Sequence, residues 1–551
     1  MMSQRVLAIQ QPRGLMGSSG LYLERGCVWR TAWLSLGLLL IALLALAAPT
    51  WAQDVLRQAE AALERWDGEE AYRLARPVAD ERPQDRQALA LLAKAAFYRG
   101  EYLEAARWAA QWGEVEPGNE YAKGWQAFAE QTAWAVQDFK TYTSPHFVLR
   151  LQEERDGVLA EYALEALERG YEVLGRDLGY QPSARVRIEI FPDHQRFHAA
   201  SSLSKRDIEV AGAVGICKFD KVMLLSPRVL LRGYRWLDAV VHEYVHYVIV
   251  KLSDDKAPIW IHEGVAKHEE SRWRNATSLY LSPLNRTLLA EALQTGDFVT
   301  FEQMEPSLVR LETPQQAQLA YAEAASAVEF ILNKAGYPGL TAIFQEMART
   351  DTRGAKAPIE HALGFSFTAF EEEWKQFLRT QHLTSVPGVQ LAQFKVLEKG
   401  EPDDDRLEQE ALHSAAVERD LSLGDLMRQR GRSDGVIYYY DRARKGRPDS
   451  PFVLNKLARA LLAAHRPQEA MSHLQRALEV SPDDGTAYAT LGDVFRALDQ
   501  ADQARNHYEQ AIQINPFNPA PHQYLAELYR QQGKAEAAQR EARVAARLFG
   551  R

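Results

Sequence analysis

His242, Glu243 and His246 stand as His-Glu-Tyr-Val-His inside the apolar run WLDAVVHEYVHYVIVKL. On an α-helix, residues four apart differ by about 40° of rotation, so the two imidazoles project from one face and can share one metal ion. Glu243, one step round, then stands beside that ion, where a carboxylate can take a proton from an activated water. A catalytic zinc takes three protein ligands and keeps a fourth position open, so a third donor has to come from another element. After a turn at Ser253-Asp254-Asp255-Lys256, Pro258 is suited to start a second helix, which reads Trp260-Ile261-His262-Glu263-Gly264-Val265-Ala266. Glu263 lies 17 residues beyond His246, enough for the first helix to end, a turn, and a return of a side chain to the ion. His262, Glu269 and Glu270 share that second helix as rival donors. His262 points about 100° away from Glu263, so only one of those two faces the metal squarely.

HEYVHYVI followed by APIWIHEGVAKHEE resembles the gluzincin metallopeptidases, in particular the peptidase MA-like group, which couples HExxH to a later Trp-x-x-Glu-Gly-x-Ala segment. The similarity extends over about residues 140–380 and takes in His146-Phe147, RIEIFPDHQRF and AGAVGICKFDKVMLLSP. It implies a thermolysin-like domain with a mixed sheet and an HExxH helix, Zn2+ as cofactor, and a peptide or protein substrate. It also implies His242, His246 and Glu263 as zinc ligands and Glu243 as general base and acid. The Gly-x-Met-Glu-Asn segment of the aminopeptidase branch does not occur, which favours an endopeptidase. Tyr321, expected to open the helix AYAEAASAVEFIL, resembles a Tyr near the cleft of related enzymes and is either an oxyanion donor or a packing residue; His194, His198 and Tyr234 are weaker candidates. Many gluzincins carry an acidic residue four positions after the third ligand, but Lys267 stands there, which leaves Glu269 and Glu270 as candidates to orient a ligand His.

Positioning these groups requires an α+β domain. HFVLRL (146–151), RVRIEIF (185–191) and KVMLLS (221–226) read as strands, and the helical patterns follow them. The strand near Gly215 to Leu225 is expected at the sheet edge beside the cleft, where a peptide could add as a further strand. Gly212-Ala213-Val214-Gly215 is too weak a pattern to indicate a phosphate loop, and the lone Cys217 reads as buried rather than nucleophilic.

On both sides the chain repeats itself. Pro448, Pro482 and Pro516 recur at 34 residues, as do Leu457, Leu491 and Leu525, Ala470, Ala504 and Ala538, and Ala443, Ala477 and Ala511. This period is that of the tetratricopeptide repeat, a helical hairpin whose small residues let its helices approach. Three copies fill 448–549, and a weaker one from about 414 has Val436 in place of Ala. Ala71 and Ala105, Ala75 and Ala109, and Pro83 and Pro117 share the spacing, which gives about two more repeats before a helix around Trp125 to Trp134. The expected layout is a targeting segment at 1–52, repeat-like helices at 53–138, the metallopeptidase-like domain at 139–384, a linker at 385–413 and repeats at 414–551. With Pro402-Asp403-Asp404-Asp405 in it, the linker is expected to let the C-terminal repeats move.

Of 551 residues, 46% are hydrophobic and 25% charged, which suits several globular domains and excludes wholesale disorder. Cys27 and Cys217 are too few for a disulfide framework or a Cys-rich zinc module. The net charge of −9, without a basic patch, excludes nucleic acid as a general partner. Ala32 to Ala48 is uncharged and follows Arg5, Arg13, Arg25 and Arg30, the layout of a secretory signal cleaved after Ala52, or alternatively of an uncleaved membrane anchor. The leading expectation is an exported, periplasmic or extracellular zinc endopeptidase whose repeats recruit a protein. The competing one is a repeat scaffold of the cell envelope carrying an inactive peptidase-like domain. The intact Glu243 favours the enzyme, because a scaffold has no use for a general base.

Overall fold

In the computed structural model, the strands expected at 146–151, 185–191 and 221–226 form the middle of one five-stranded sheet. The structure describes residues 51–308, 311–349, 354–389, 391, 394–397 and 412–550; the apolar segment 32–48 and the acidic run 403–405 lie outside them. The sheet comprises β1 (Phe139–Thr143), β2 (Phe147–Gln152), β3 (Val186–Phe191), β4 (Gly215–Lys218) and β5 (Lys221–Leu225), in the order β1-β2-β3-β5-β4. β2, β3 and β5 run parallel, while β1 and β4 are antiparallel edge strands. Strands covered on both faces read as continuous apolar runs, which is why β5 is buried at every position. β4 is the expected edge.

The helices before and within this domain are α1 (Gly68–Glu81), α2 (Arg86–Tyr98), α3 (Tyr102–Val115), α4 (Glu120–Ala135), α5 (Ala160–Leu178), α6 (His194–Ser201) and α7 (Lys205–Ala211). α8 (Trp236–Ser253) carries the HExxH residues and α9 (Ile259–Glu269) carries Glu263. α10 (Pro283–Thr295), α11 (Pro314–Arg349, kinked at Gly336), α12 (Lys356–Leu363) and α13 (Phe367–Thr380) follow. Phe147, Leu149 and Leu151 of β2 pair with Val186, Ile188 and Ile190 of β3 to make one buried face. The ring of Tyr244 on α8 packs edge-on against Phe147 at 5.1 Å between centroids. α5 lies against α8 closely enough that a Cβ on Gly170 would meet Val241 at 3.3 Å.

The other face receives α3. Glu189 points away from Ile188 and Ile190 by the alternation of a strand. It accepts hydrogen bonds from Tyr102 of α3 and from Lys221 of β5, each at 2.8 Å, with Arg150 at 3.2 Å. Glu189 and Lys221 are both fully buried, so neither charge could be tolerated there alone. Burial pulls the Lys221 ammonium down to about 8 despite the charge of Glu189.

The 34-residue columns become helical hairpins. Ala71, Ala75, Ala105 and Ala109 are at most 1% exposed, so the N-terminal helices approach through small side chains. The C-terminal hairpins are α14 (Ala415–Gln429) with α15 (Ser433–Gly446), α16 (Pro451–Ala463) with α17 (Pro467–Val480), α18 (Gly485–Ala497) with α19 (Ala501–Ile514), and α20 (Pro519–Gln531) with α21 (Ala535–Phe549). Ser450, Asp484 and Asn518, again 34 apart, cap α16, α18 and α20 by accepting main-chain N–H bonds. Val436 is buried in the position that Ala fills in the later copies.

The expectation of repeats moving on a linker needs correction. The described part of that segment is pinned: Leu231 donates to the Lys395 carbonyl at 3.0 Å, Leu397 to that of Val229 at 2.8 Å, and Val396 is fully buried. α21 binds α5 and the turn before it through Arg540 to Glu165 at 2.7 Å, Arg543 to Glu161 at 2.8 Å and Arg547 to Glu153 at 2.7 Å. Tyr162 adds a buried hydrogen bond to Glu541 at 2.8 Å. Such pairs join residues nearly four hundred positions apart, and no local pattern encodes them.

The buried Glu189–Lys221 pair should behave as a unit. Lys221→Ala, which strips the strongest partner from a buried carboxylate, is expected to cost about 3–5 kcal/mol and lower the melting midpoint of the full chain. Lys221→Met combined with Glu189→Leu should recover a large part of that loss; a double variant no more stable than the single one would contradict the assignment.

Candidate metal centre

α8 presents His242 and His246 on one face, with ring centroids 4.8 Å apart and planes at 88°. α9 returns Glu263 between them: its Oε2 lies 3.4 Å from His242 Nε2 and 3.7 Å from His246 Nε2. Zinc bonds of about 2.0–2.2 Å in a tetrahedron separate neighbouring donors by about 3.3 Å, so the spacing of these three atoms suits one ion. Gly264 permits the approach, because a Cβ there would stand 2.5 Å from the Ala324 carbonyl oxygen of α11. The Glu-Gly pair thus couples a donor to the residue that lets its helix pack. His262, the rival on α9, has its ring 5.5 Å from that of His246.

Donor atoms of His242, Glu243 and His246 lie within 4.8 Å of one another. Glu243 has a different neighbour from the other two. The Cys217 main-chain N–H of β4 faces it, and a Cβ on Gly215 would stand 2.6 Å from its Oε1. The edge strand therefore closes on this carboxylate, and glycine is needed at 215 to let it. Glu243 Oε2 and His246 Nδ1 are buried and have no hydrogen-bond partner among the described residues. A buried polar atom without a partner is costly, and the orphaned carboxylate oxygen fits a group that exchanges a proton with something bound in the cleft.

The second layer settles which acid orients a ligand. Glu270 Oε2 sits 3.0 Å from His242 Nδ1, leaving Nε2 for an ion. Lys267, in the place where an acid was expected, donates to the other oxygen of Glu270 at 2.7 Å. Glu269 turns away to His268 at 2.8 Å and Tyr337 at 2.8 Å. Burial opposes a charge on His242, but Glu263 and Glu270 on either side raise it to about 10. His246 is pulled down to about 3 by burial. Burial works against ionised Glu263, yet the two imidazoles hold it below the usual carboxylate range. Burial pushes the Glu243 carboxyl up to about 8, against the opposing charge of His242.

Tyr321 stands two turns into α11 rather than at its start. Burial raises its hydroxyl well above the usual range, and the charges of Glu263 and Glu243 add to the rise. Two of the weaker candidates are used elsewhere: Tyr234 donates to the Leu225 carbonyl, and His198 Nδ1 lies 3.0 Å from the Leu203 carbonyl; His194 begins α6. Sequence reasoning missed the contact of Gly215 and Cys217 with Glu243; its only signal was a glycine in the edge strand.

Comparison with known proteins agrees with the two textures of the chain. Residues 166–380 match the Peptidase MA superfamily, and residues 449–516 and 507–540 match two tetratricopeptide repeat families. No curated protein matches the chain significantly. Among solved structures, the crystal structure of MamA is 23% identical, covering 27% of this chain and 87% of that one with a TM-score of 0.23. A thermophilic TPR protein from Thermus thermophilus is 24% identical, covering 24% and 74% with a TM-score of 0.23. The first TPR domain of human RPAP3 is 20% identical, covering 22% and 95% with a TM-score of 0.21. The chain thus carries a Peptidase MA superfamily domain followed by tetratricopeptide repeats.

Proposed function

We propose that this protein is an exported zinc-dependent endopeptidase with a thermolysin-like gluzincin domain, whose repeats recruit a partner or substrate protein. The observation that carries the reading is one carboxylate oxygen of Glu263 facing both His242 Nε2 and His246 Nε2, with Glu243 beside them in the grip of the edge strand. Export rests on the apolar segment 32–48 and its basic flank.

His242, His246 and Glu263 hold the ion, and Glu270 fixes the ring of His242 so that Nε2 points inward. Bound zinc supplies a Lewis-acid charge that polarises a scissile carbonyl and makes water nucleophilic near neutral pH. Glu243 accepts the proton that the attacking water loses and passes it to the leaving amine. Gly215 lets the edge strand lie against one oxygen of that carboxylate while the other stays available. β4, at the free edge of the sheet, offers main-chain groups along which an extended peptide can lie. The Tyr321 hydroxyl, protonated at neutral pH, donates to the oxyanion as it develops.

Glu243→Ala should retain stoichiometric zinc by metal analysis and lose about 10²–10⁴-fold in the rate of casein hydrolysis. Equal activity in that variant, or a wild-type protein purified without zinc, would contradict the enzyme reading. For Tyr321→Phe, an oxyanion donor predicts a fall in kcat of about 10²–10³-fold with little change in KM. Unchanged kcat with a lower melting temperature would assign Tyr321 to packing.

A further inference from the structure

Arg235 sits at the N-terminal boundary of α8, seven residues before His242. Its side chain leaves its own domain and is held by the C-terminal repeats. Nε donates to Asp483 at 2.5 Å, Nη1 to Gln510 at 2.9 Å, and Nη2 to the Pro482 carbonyl at 3.1 Å and the Tyr488 hydroxyl at 3.3 Å. The next residue, Trp236, is fully buried and donates from its indole to the Ile512 carbonyl at 3.3 Å. Gly233, at φ +67°, lies so near the end of α19 that a Cβ would stand 2.7 Å from the Ile514 carbonyl oxygen. The root of the metal-binding helix is therefore seated against the third repeat hairpin and the turn that leads into it. After Glu270, the charge of Asp483 also helps to raise the Lys267 ammonium against the effect of burial.

A helix is stiff over two turns, and seven residues span only about 10 Å, so a tilt at Arg235 displaces His242 and Glu243 with it. Donor sets of this kind work within about 0.5 Å of their proper geometry. We propose that Arg235 is a positioning residue for His242 and Glu243, and that the C-terminal repeats, through Asp483 and Gln510, are a working part of the metal centre as well as a recruitment module. The inference rests on the zinc reading above and extends it to residues outside the domain that bears the donors.

The test is made on the full chain with Asp483→Ala/Gln510→Ala, which leaves every metal donor and its own domain unaltered. Zinc affinity is read by competition with a chromophoric chelator, casein hydrolysis is resolved into kcat and KM, and folding is followed by far-UV circular dichroism. The proposal predicts zinc affinity lower by about tenfold, as for other changes that disturb the orientation of ligands, and a lower kcat at unchanged KM, with the helical signal intact. Arg235→Lys, which keeps the charge and loses the fork of donors, should fall between the double variant and wild type. Wild-type zinc affinity in the double variant would overturn the proposal. The wild-type arm is separate: a chain that binds zinc, responds to the repeat substitutions and cleaves nothing sustains the clamp and removes the enzyme reading.

Discussion

The candidate site depends on how closely α9 lies against α8 and α11. Two imidazoles four residues apart on a helix need only the helix, but the third donor arrives from a separate element and must stop within bonding distance of the same point. Gly264 provides this by letting the backbone of α9 meet the Ala324 carbonyl, and Glu263, one residue earlier, is carried between the two rings. A side chain at 264 would hold the helix off and part the donors, whatever their identity.

Around that contact the structure surrounds the site with main chain and charge. β4 presses its backbone on Glu243 at Gly215 and Cys217. Glu270 holds His242 and is itself balanced by Lys267. Glu270 lies between the His242 ring and the Lys267 ammonium, so its buried charge is partnered on both sides. The departure at Lys267 is thus compensated within the same helix turn: the acid is displaced by three residues and the lysine becomes its partner.

Much of this was legible in the sequence, because it rests on short periods. The pairing of His242 with His246 follows from helical spacing, the sheet from alternating and continuous apolar runs, and the repeats from Ala and Pro at 34 residues. The weak repeat copy was also readable, since Val436 keeps the buried position that Ala occupies elsewhere. What could not be read were contacts between distant segments. The choice of Glu270 over Glu269 depends on how the end of α9 turns, and the closure of β4 on Glu243 on the register of an edge strand. The segment around 395 looked like a linker because its polar composition outweighs the few residues, such as Val396, by which it is pinned. The docking of α21 on α5 is made of Arg and Glu side chains that, one at a time, look like solvated charge.

The central claim is that His242, His246 and Glu263 together hold one zinc ion. Anomalous diffraction at the zinc absorption edge, on crystals of the full chain grown with zinc, tests it most directly. The account predicts a single strong peak within about 2.0–2.2 Å of His242 Nε2, His246 Nε2 and a Glu263 carboxylate oxygen, with Glu243 beside it and not bonded to it. A peak ligated by His262 or Glu269 in place of Glu263, or no peak between α8 and α9, would contradict it.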